Sequence, residues 1–430
     1  MDTNRLLERF LRYVRIDTMA RSDADTYPSS AGQLQLGALV VDELRALGVA
    51  DATQDANGIV TATMPPTIGH EAPTIVLLAH LDTSPETSGA DVKPQVIEKY
   101  DGGDLVLPGD PRRVIRPAED PDLARLAGCT LITSDGTTLL GADDKAGVAV
   151  IVETAAWLME HPEIPRGTVR LCFSCDEEIG RGVEHIRVDR LGAVAGYTLD
   201  GQGADTIDVE TFSADLAVAT IQGRNIHPGI AKGRMVNALR VAADWIGRLP
   251  RTNASPETTE GREGFIHPFE IAGGVGEAQV RVLLRAFDTP GLAQWAQILH
   301  HTAAASMAEW PGSTIRLAIS PQYRNMAEGL AKEPRAVAYA ERALERLGRT
   351  ARRAFVRGGT DGSRLTEMGL PTPNLATGQH SPHAPTEWAC LEEMAGAVQW
   401  LIGLVQVWAE DGGLTPSTDP RRPAPQSPAG

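Results

Sequence analysis

Three apolar runs that end in polar residues indicate buried β-strands in the first 200 residues of the chain. They are residues 74–80 (TIVLLAH), 168–175 (TVRLCFSC) and 195–200 (AGYTLD). Strands have this pattern when helices cover both faces of a parallel sheet. Helical periodicity separates the strands, most clearly at residues 146–160 (AGVAVIVETAAWLME). The alternation predicts an α/β domain built on a mostly parallel sheet.

The pattern changes between residues 212 and 321. Strand-like alternation and two amphipathic helical stretches follow one another there, at residues 215–223, 236–249, 279–288, 292–310 and 313–320. A β-α-β-β-α-β order is typical of a ferredoxin-like α+β sandwich. We therefore expect this stretch to be a second domain inserted into the first.

The α/β pattern returns after the insertion, with helices over 335–347 and 390–409. The sequence thus predicts one discontinuous domain, residues 1–211 and 322–410, and an inserted domain, residues 212–321. Residues 411–430 are rich in Pro, Gly, Ser and Thr and are expected to be disordered.

The amino terminus is expected to be the first helix of the fold rather than a targeting signal. Leu6, Leu7, Phe10, Leu11 and Val14 fall on one helical face, and no apolar signal core precedes them. A chain with this start and without a long apolar run is expected to be cytoplasmic and free of membrane spans.

Composition narrows the possible partners. Lys and Arg number 40 against 56 Asp and Glu, so the formal net charge is −16. Such a chain repels nucleic acid and anionic membranes, and neither is expected as a partner. The chain contains 4 cysteines, too few for a disulfide framework. Cys172 and Cys175 form a C-x-x-C, but they lie in a predicted buried strand, which favours a structural role over a redox one.

Acidic residues and a histidine follow several of the predicted strands. In open α/β sheets the functional groups lie beyond the carboxyl ends of the strands. The residues at these positions are His80, Asp82, Asp143, Asp144, Glu177, Glu178 and Asp200.

Each of these residues alone has an ordinary structural explanation. Asp143 and Asp144 could begin a helix, and Asp-Glu-Glu could be a surface acidic run. Together, however, carboxylates this close would repel one another and raise each other's pKa. A divalent cation relieves that repulsion, and His with carboxylates suits zinc, cobalt or manganese. Glu177 and Glu178 are adjacent, so one can bind metal while the other accepts a proton from water.

These motifs resemble the M20 metallopeptidases, and within them the branch that removes the first residue of tripeptides. The resemblance covers roughly residues 4–410. The stretches that carry it include HLDTSP (80–85), SDGTTLLGADDKAG (134–147), DEEIGRG (176–182), NIHPGIAKGRMVNAL (225–239), SPETTEGREGF (255–265) and RGGTDG (357–362). It implies a zinc-exopeptidase-like catalytic domain and an inserted lid or dimerisation domain.

The resemblance also implies roles for particular residues. His80, Asp143, Glu178 and Asp200 are expected to bind two divalent ions, zinc with cobalt or manganese as alternatives. Asp143 would bridge the ions, and Asp144 would not be a ligand. Glu177 would be the general base and acid, and Asp82 would orient the imidazole of His80.

The last ligand is expected to be a histidine near the carboxyl terminus. His383 precedes Glu387 by four residues, as the ligand does in the family, and we assign it; His380 is the competitor. His227 would stabilise the oxyanion, although without the resemblance it reads as a structural residue before Pro228.

Substrate contacts are assigned to Arg357, Asn237, Gly358 and Gly359. Arg357 could bind a peptide carboxylate or form a structural salt bridge. The glycine pair allows close backbone approach.

The sequence thus predicts a cytosolic di-zinc aminopeptidase that acts on unblocked tripeptides as a monomer or homodimer. The main alternative is another M20 hydrolase: a dipeptidase, a carboxypeptidase or an N-acyl amino acid deacylase. A catalytically silent binding protein and a redox protein acting through Cys172 and Cys175 are further alternatives.

Overall fold

A computed structural model describes residues 2–411 of the chain. The predicted disordered tail therefore lies outside the described residues, except for Asp411. The α-helices of the described part are α1 (Thr3–Val14), α2 (Ala31–Ala46), α3 (Ala142–Glu160), α4 (Val188–Leu191), α5 (Ala238–Arg248), α6 (Thr289–Glu309), α7 (Ala327–Leu330), α8 (Arg335–Arg346), α9 (Asp361–Glu367) and α10 (Leu391–Ala409).

The strands alternate with these helices in the first part of the chain and again after α8. In chain order they are β1 (Thr53–Gln54), β2 (Val60–Met64), β3 (Ile75–His80), β4 (Gln95–Ile97), β5 (Leu105–Val106), β6 (Val114–Ile115), β7 (Leu131–Thr133), β8 (Val169–Ser174), β9 (Ala195–Gln202), β10 (Thr206–Thr211), β11 (Ser213–Gln222), β12 (Phe265–Gly273), β13 (Glu277–Ala286), β14 (Thr314–Tyr323), β15 (Arg352–Val356), β16 (Asn374–His380) and β17 (Trp388–Cys390).

The larger sheet has a parallel centre and antiparallel edges. Its main path runs β1-β2-β8-β3-β9-β16-β17-β7-β4, and β10 and β15 extend it from β16. Strands β8, β3, β9 and β16 are parallel neighbours. Every residue of β3 is buried, as its continuous apolar pattern predicts. The predicted α/β class is confirmed, and the parallel arrangement is concentrated in the central strands that carry the strand-end residues.

A smaller sheet lies between β10 and β15 in the sequence. Its strands are antiparallel in the order β12-β13-β11-β14, and they occur with α5 and α6 in the order β-α-β-β-α-β. Along β13, buried residues such as Val282 and Leu284 alternate with more exposed ones. The buried face packs against α5 and α6 around Trp245. The domain boundaries drawn from the sequence stay a prediction.

The principal core lies between the larger sheet and helices α1, α2, α3, α8 and α10. Phe10 and Val14 of α1 are fully buried in it, whereas Leu7 and Leu11 are only partly buried. None of the helices within residues 2–411 has the length and apolar character needed to cross a bilayer.

Candidate metal centre

The carboxyl ends of three neighbouring strands bring most of the predicted ligands to one edge of the larger sheet. His80 ends β3, Asp200 lies in adjacent β9, and Glu177 and Glu178 follow β8 on the other side of β3. Asp143 comes from the first turn of α3, whose body packs on β3 and β9. This is the position that parallel α/β sheets use for ligands.

One triad of donor atoms forms around His80. Its Nε2 lies 3.1 Å from Asp143 Oδ1 and 3.8 Å from Asp200 Oδ1. Two ligands at bonds of about 2.0 Å in a tetrahedral site lie about 3.3 Å apart, so this spacing suits a cation between the three atoms. His80 is 3% exposed, so its ring is almost entirely shielded from solvent.

A second triad uses the other oxygen of the same aspartate. His383 Nε2 lies 3.4 Å from Asp143 Oδ2 and 3.0 Å from Glu178 Oε2. In both triads all three donor atoms fall within 4.8 Å of one another. Asp143 therefore has the geometry of a bridge, with one carboxylate oxygen directed at each site.

His380 lies elsewhere. Its ring stacks on Trp388 with centroids 3.7 Å apart, and its Nε2 is 2.6 Å from Glu393 Oε2. His383 and His380, the two candidates for the last ligand, thus have different surroundings. His383 adopts a left-handed backbone with φ of 65°, unusual for a side chain of this size, and its ring joins the second triad.

Asp82 connects the histidine to the acidic turn. Its Oδ1 lies 3.3 Å from His80 Nδ1, and its two oxygens accept the backbone N–H groups of Glu177 and Glu178 at 3.1 and 3.0 Å. Glu177–Ile179 form a short 3₁₀ helix. The turn separates the two glutamates: Glu178 contacts His383, while the Glu177 carboxylate makes no hydrogen bond within the described part of the chain.

The electrostatics of the cluster favour cations. Burial and the neighbouring Asp143 raise the pKa of Glu178 to about 8, and the same two causes raise the pKa of Asp200 to about 7. Burial, followed by nearby acids, also holds the pKa of Glu177 well above its usual range. Glu178 Oε1 is buried, and no hydrogen-bond donor among residues 2–411 reaches it. Crowded carboxylates with an unpartnered oxygen fit a pair of divalent ions better than they fit protein contacts alone.

In the sequence, Glu387 served only to identify His383, four residues before it. In the structure, Glu387 supports the metal centre directly. Its carboxylate accepts the N–H groups of Leu140, Gly141 and Asp143 at 2.8, 2.7 and 2.9 Å. Asp144 is likewise a support, since its Oδ2 accepts the backbone N–H of His80 at 3.0 Å. Neither residue joins a triad, as expected for Asp144.

The triads open into a cavity of about 1160 Å³. Glu177 and Asp361 are among its lining residues, and the Asp361 carboxylate accepts a hydrogen bond from the Ser174 hydroxyl at 2.6 Å. The smaller sheet supplies another wall, which includes Arg285 and Tyr323. A cavity of this size holds a small peptide.

Arg357 also lines the cavity and donates to Thr259 Oγ1 at 2.8 Å and to Gly261 O at 3.2 Å. No carboxylate of the described residues forms a salt bridge with it, so the structural ion pair considered from the sequence is not observed. At Gly359 a Cβ would lie 2.6 Å from the ring of Tyr323, whereas Gly358 has open space apart from Val356. At Gly359 the absence of a side chain therefore makes room for the ring of Tyr323, a residue of the protein itself.

Arg285 also lines the cavity and was not among the site residues predicted from the sequence. Its guanidinium lies 5.0 Å from the Tyr323 ring, burial lowers its pKa to about 10, and its Nη1 has no hydrogen-bond partner within residues 2–411. The signal in the sequence that could have identified Arg285 is its position on the face of β13 that does not pack against the helices.

Two predicted site residues lie apart from the triads. Asn237 caps α5 by accepting the Leu239 N–H at 3.0 Å. His227 is exposed, and its Nδ1 accepts the Gly229 N–H at 3.1 Å. Neither is among the residues that line the cavity.

The C-x-x-C pair has the surroundings of structural thiols. Cys172 and Cys175 are buried, and burial raises the pKa of Cys172 to about 12 and that of Cys175 further. Thiols this hard to ionise are poor redox groups.

Comparison with known proteins identifies relatives of this site and fold. Residues 140–407 match the model of peptidase family M20/M25/M40. Peptidase T of Geobacillus thermodenitrificans (strain NG80-2) is 42% identical over 405 residues, which cover 94% of this chain and 98% of that protein.

Solved structures show the same similarity. The aminopeptidase PepT of Bacillus cereus ATCC 10987 superposes with a TM-score of 0.72 at 25% identity, covering 95% of this chain and 99% of that one. A tripeptidase of Staphylococcus aureus superposes with a TM-score of 0.74 at 24% identity and the same coverage, and so shares the fold.

Proposed function

The chain belongs to peptidase family M20/M25/M40 and is a peptidase, and from this premise we propose that it is a di-zinc aminopeptidase that removes the first residue of unblocked tripeptides. The observation that carries the proposal is the pair of triads joined through the two oxygens of Asp143. Peptidase T and the aminopeptidase PepT, to which this chain is similar, point to the same activity.

The proposed ligands are His80 and Asp200 for one ion, Glu178 and His383 for the other, and Asp143 for both. Ions held there would polarise the scissile carbonyl and lower the pKa of a water molecule. Zinc suits the mixture of imidazole and carboxylate, with cobalt or manganese as alternatives. Asp82 would hold the His80 ring in place through Nδ1, and Glu387 would hold the backbone that carries Asp143.

Glu177 is the proposed general base and acid. It lines the cavity beside Asp143 and Glu178, and its carboxylate has no protein donor to satisfy it within the described chain. Burial keeps its pKa above the ordinary range, which suits a group that must both take up and release a proton near neutral pH. Glu177 would accept a proton from the attacking water and deliver it to the leaving nitrogen.

The cavity is lined by groups that suit both charged ends of a short peptide. The acidic edge formed by Asp143, Glu178 and Asp200 would attract a free α-amino group. Arg357 and Arg285 line the same cavity and carry charges that no described carboxylate neutralises. A planar guanidinium binds a carboxylate through two hydrogen bonds, so these arginines are the proposed readers of the peptide's carboxyl terminus.

His227 would complete the site only after movement. It lies in the segment between β11 and α5, away from the cavity lining, so closure of the smaller sheet and its helices over the triads would have to bring it to the oxyanion. We propose residues 212–321 as that lid and residues 1–211 with 322–410 as the catalytic domain. A monomer or homodimer in the cytoplasm remains the proposal for assembly and location.

The direct test is hydrolysis of one unblocked tripeptide beside its N-acetylated form and the corresponding dipeptide, using zinc-loaded protein. We expect cleavage of the free tripeptide with release of its first residue, and little cleavage of the other two. Preferential cleavage of the acetylated peptide would instead support a deacylase or carboxypeptidase. Absence of cleavage in all three would support a binding protein on this fold.

A further inference from the structure

A group of potential metal ligands lies outside the cavity, where the loop before β7 meets the start of α10. Cys390 ends β17 and is the N-cap residue of α10, and Cys129 lies two residues before β7, the antiparallel neighbour of β17. Glu392 is in the first turn of α10. None of the three lines the cavity that holds the triads.

The three donor atoms converge. The Cys390 thiol donates a hydrogen bond to Glu392 Oε2, with Sγ and Oε2 3.5 Å apart. All three donor atoms fall within 4.8 Å of one another. A sulfur bonded at about 2.3 Å and an oxygen bonded at about 2.0 Å to one tetrahedral ion lie about 3.5 Å apart, which matches the measured separation.

The surrounding backbone fixes this arrangement. Oε2 of Glu392 accepts the Thr130 N–H at 2.8 Å, so the carboxylate is held beside the thiols by a group that does not itself bind metal. Leu131 pairs with Cys390 across the β7–β17 ladder, which sets the distance between the two cysteines. The positive end of α10 lies at Cys390 and favours a thiolate there.

The site is open on one side. Cys390 is fully buried, Cys129 is partly exposed and Glu392 is exposed, so an ion can enter from solvent and retain water as a fourth ligand. From this geometry we infer that Cys129, Cys390 and Glu392 form a surface site for a thiophilic cation such as Cd²⁺ or Zn²⁺, separate from the peptidase centre. Two sulfur ligands distinguish it from the triads, which offer only nitrogen and oxygen.

Binding at this site must release protons. A cysteine binds a cation as the thiolate, so each thiol gives up its proton when the ion binds. Affinity should therefore fall as the pH is lowered.

The test is a cadmium titration of the full chain under reducing, oxygen-free conditions, with the triads first saturated with Mn²⁺, which prefers oxygen and nitrogen ligands. Cadmium bound to thiolate absorbs in the ultraviolet through charge transfer from sulfur, and carboxylate or imidazole ligands do not give this band. We expect the band to rise and saturate in the wild-type protein and to be lost in Cys129→Ala and in Cys390→Ala.

Cys172→Ala is the matched control and should keep the band, because Cys172 is buried in β8 away from this group. Glu392→Gln should keep the band but require more cadmium to reach it. Cys129 is only partly buried, so its variant should fold even if Cys390→Ala does not. Absence of the band in the wild type, or its persistence in Cys129→Ala, would overturn the inference.

Discussion

The carboxylate of Glu387 accepts the backbone N–H of Asp143 at 2.9 Å, a contact between residues 244 positions apart in the chain. Through its other oxygen the same carboxylate accepts the N–H groups of Leu140 and Gly141. Residues 140–143, which position Asp143 in both triads, are thus hydrogen-bonded to Glu387, and Glu387 lies in the same loop as His383. The proposed bridge and the proposed last ligand are mechanically linked.

Glu387→Gln should weaken both metal sites. An amide has only one oxygen, so its NH₂ group would face at least one backbone N–H that the carboxylate now accepts. Leaving buried donors unsatisfied costs about 1–3 kcal/mol, and loss of such supporting contacts lowers metal affinity by about 10- to 100-fold. Metal titration and thermal unfolding would measure both effects. Glu410→Gln, at an exposed ion pair with Arg346, is the matched substitution and should change neither.

Glu177→Gln should separate proton transfer from metal binding. Its carboxylate joins neither triad, so metal content should stay at the wild-type value. An amide cannot accept the proton, and kcat should fall by about 100- to 10,000-fold. Metal analysis beside tripeptide turnover provides the measurement. Loss of metal together with activity would make Glu177 a ligand and contradict the proposed role.

His383→Ala and His380→Ala should have different consequences. Removing His383 deletes one donor of the second triad, so the protein should bind less zinc and lose activity. Removing His380 deletes a ring stacked on Trp388 and a hydrogen bond to Glu393, which should lower stability by about 1–3 kcal/mol and leave the zinc content unchanged. Elemental analysis of the zinc content of both variants would decide between the two histidines. A normal zinc content in His383→Ala would rule out His383 as the last ligand.

The parts of this site that could be predicted are those marked by a pattern in the neighbouring sequence. His80 and Asp200 could be placed because each follows an apolar run, and the carboxyl ends of neighbouring parallel strands must meet. The choice between His383 and His380 depends on the backbone path of a loop, and spacing alone does not fix that path. The support from Glu387 reaches residues 140–143 across the fold, and no local pattern indicates it.

The inserted segment illustrates the same limit. Its alternating pattern predicted strands, and the strands are present as β11, β13 and β14. The orientation of Arg285 towards the cavity depends on which face of β13 the helices cover, and that is a tertiary property. His227 and Asn237 were assigned from resemblance, and their positions relative to the triads depend on how the two sheets are arranged.

His227→Ala should reduce turnover without changing metal content. The side chain is exposed, and within residues 2–411 its only hydrogen bond is the one it accepts from Gly229 in its own turn, so its removal should not disturb the fold. If closure brings it to the oxyanion, kcat should fall by about 100- to 1,000-fold, as for loss of one stabilising donor. His300→Ala, a change at another histidine exposed on α6, should leave kcat unaltered. An unchanged kcat in His227→Ala would return His227 to a structural role.

Chelation should make the stability of the protein depend on pH. In the folded chain the pKa of Glu178 is raised to about 8 and that of Asp200 to about 7, from ordinary values of 4.5 and 3.8. Between about pH 5 and about pH 8 the folded state therefore holds more protons than the unfolded state, and the free energy of unfolding falls as the pH rises. Each carboxyl contributes a slope of about 1.4 kcal/mol per pH unit between its unfolded and its folded pKa. The pKa of His383 is raised from 6.5 to about 11, so His383 also makes the free energy of unfolding fall as the pH rises above about 6.5.

Urea unfolding across this pH range, with a chelator and then with zinc, measures the slope. Zinc should remove it, because ions hold the same carboxylates deprotonated in the folded state. Glu178→Gln, which cannot bind that proton, should show a shallower slope than the chelated wild type. A chelated protein whose stability rises with pH in this window would mean that the carboxylates are neutralised by contacts within the chain, and the case for a pair of cations at Asp143 would lose its electrostatic support.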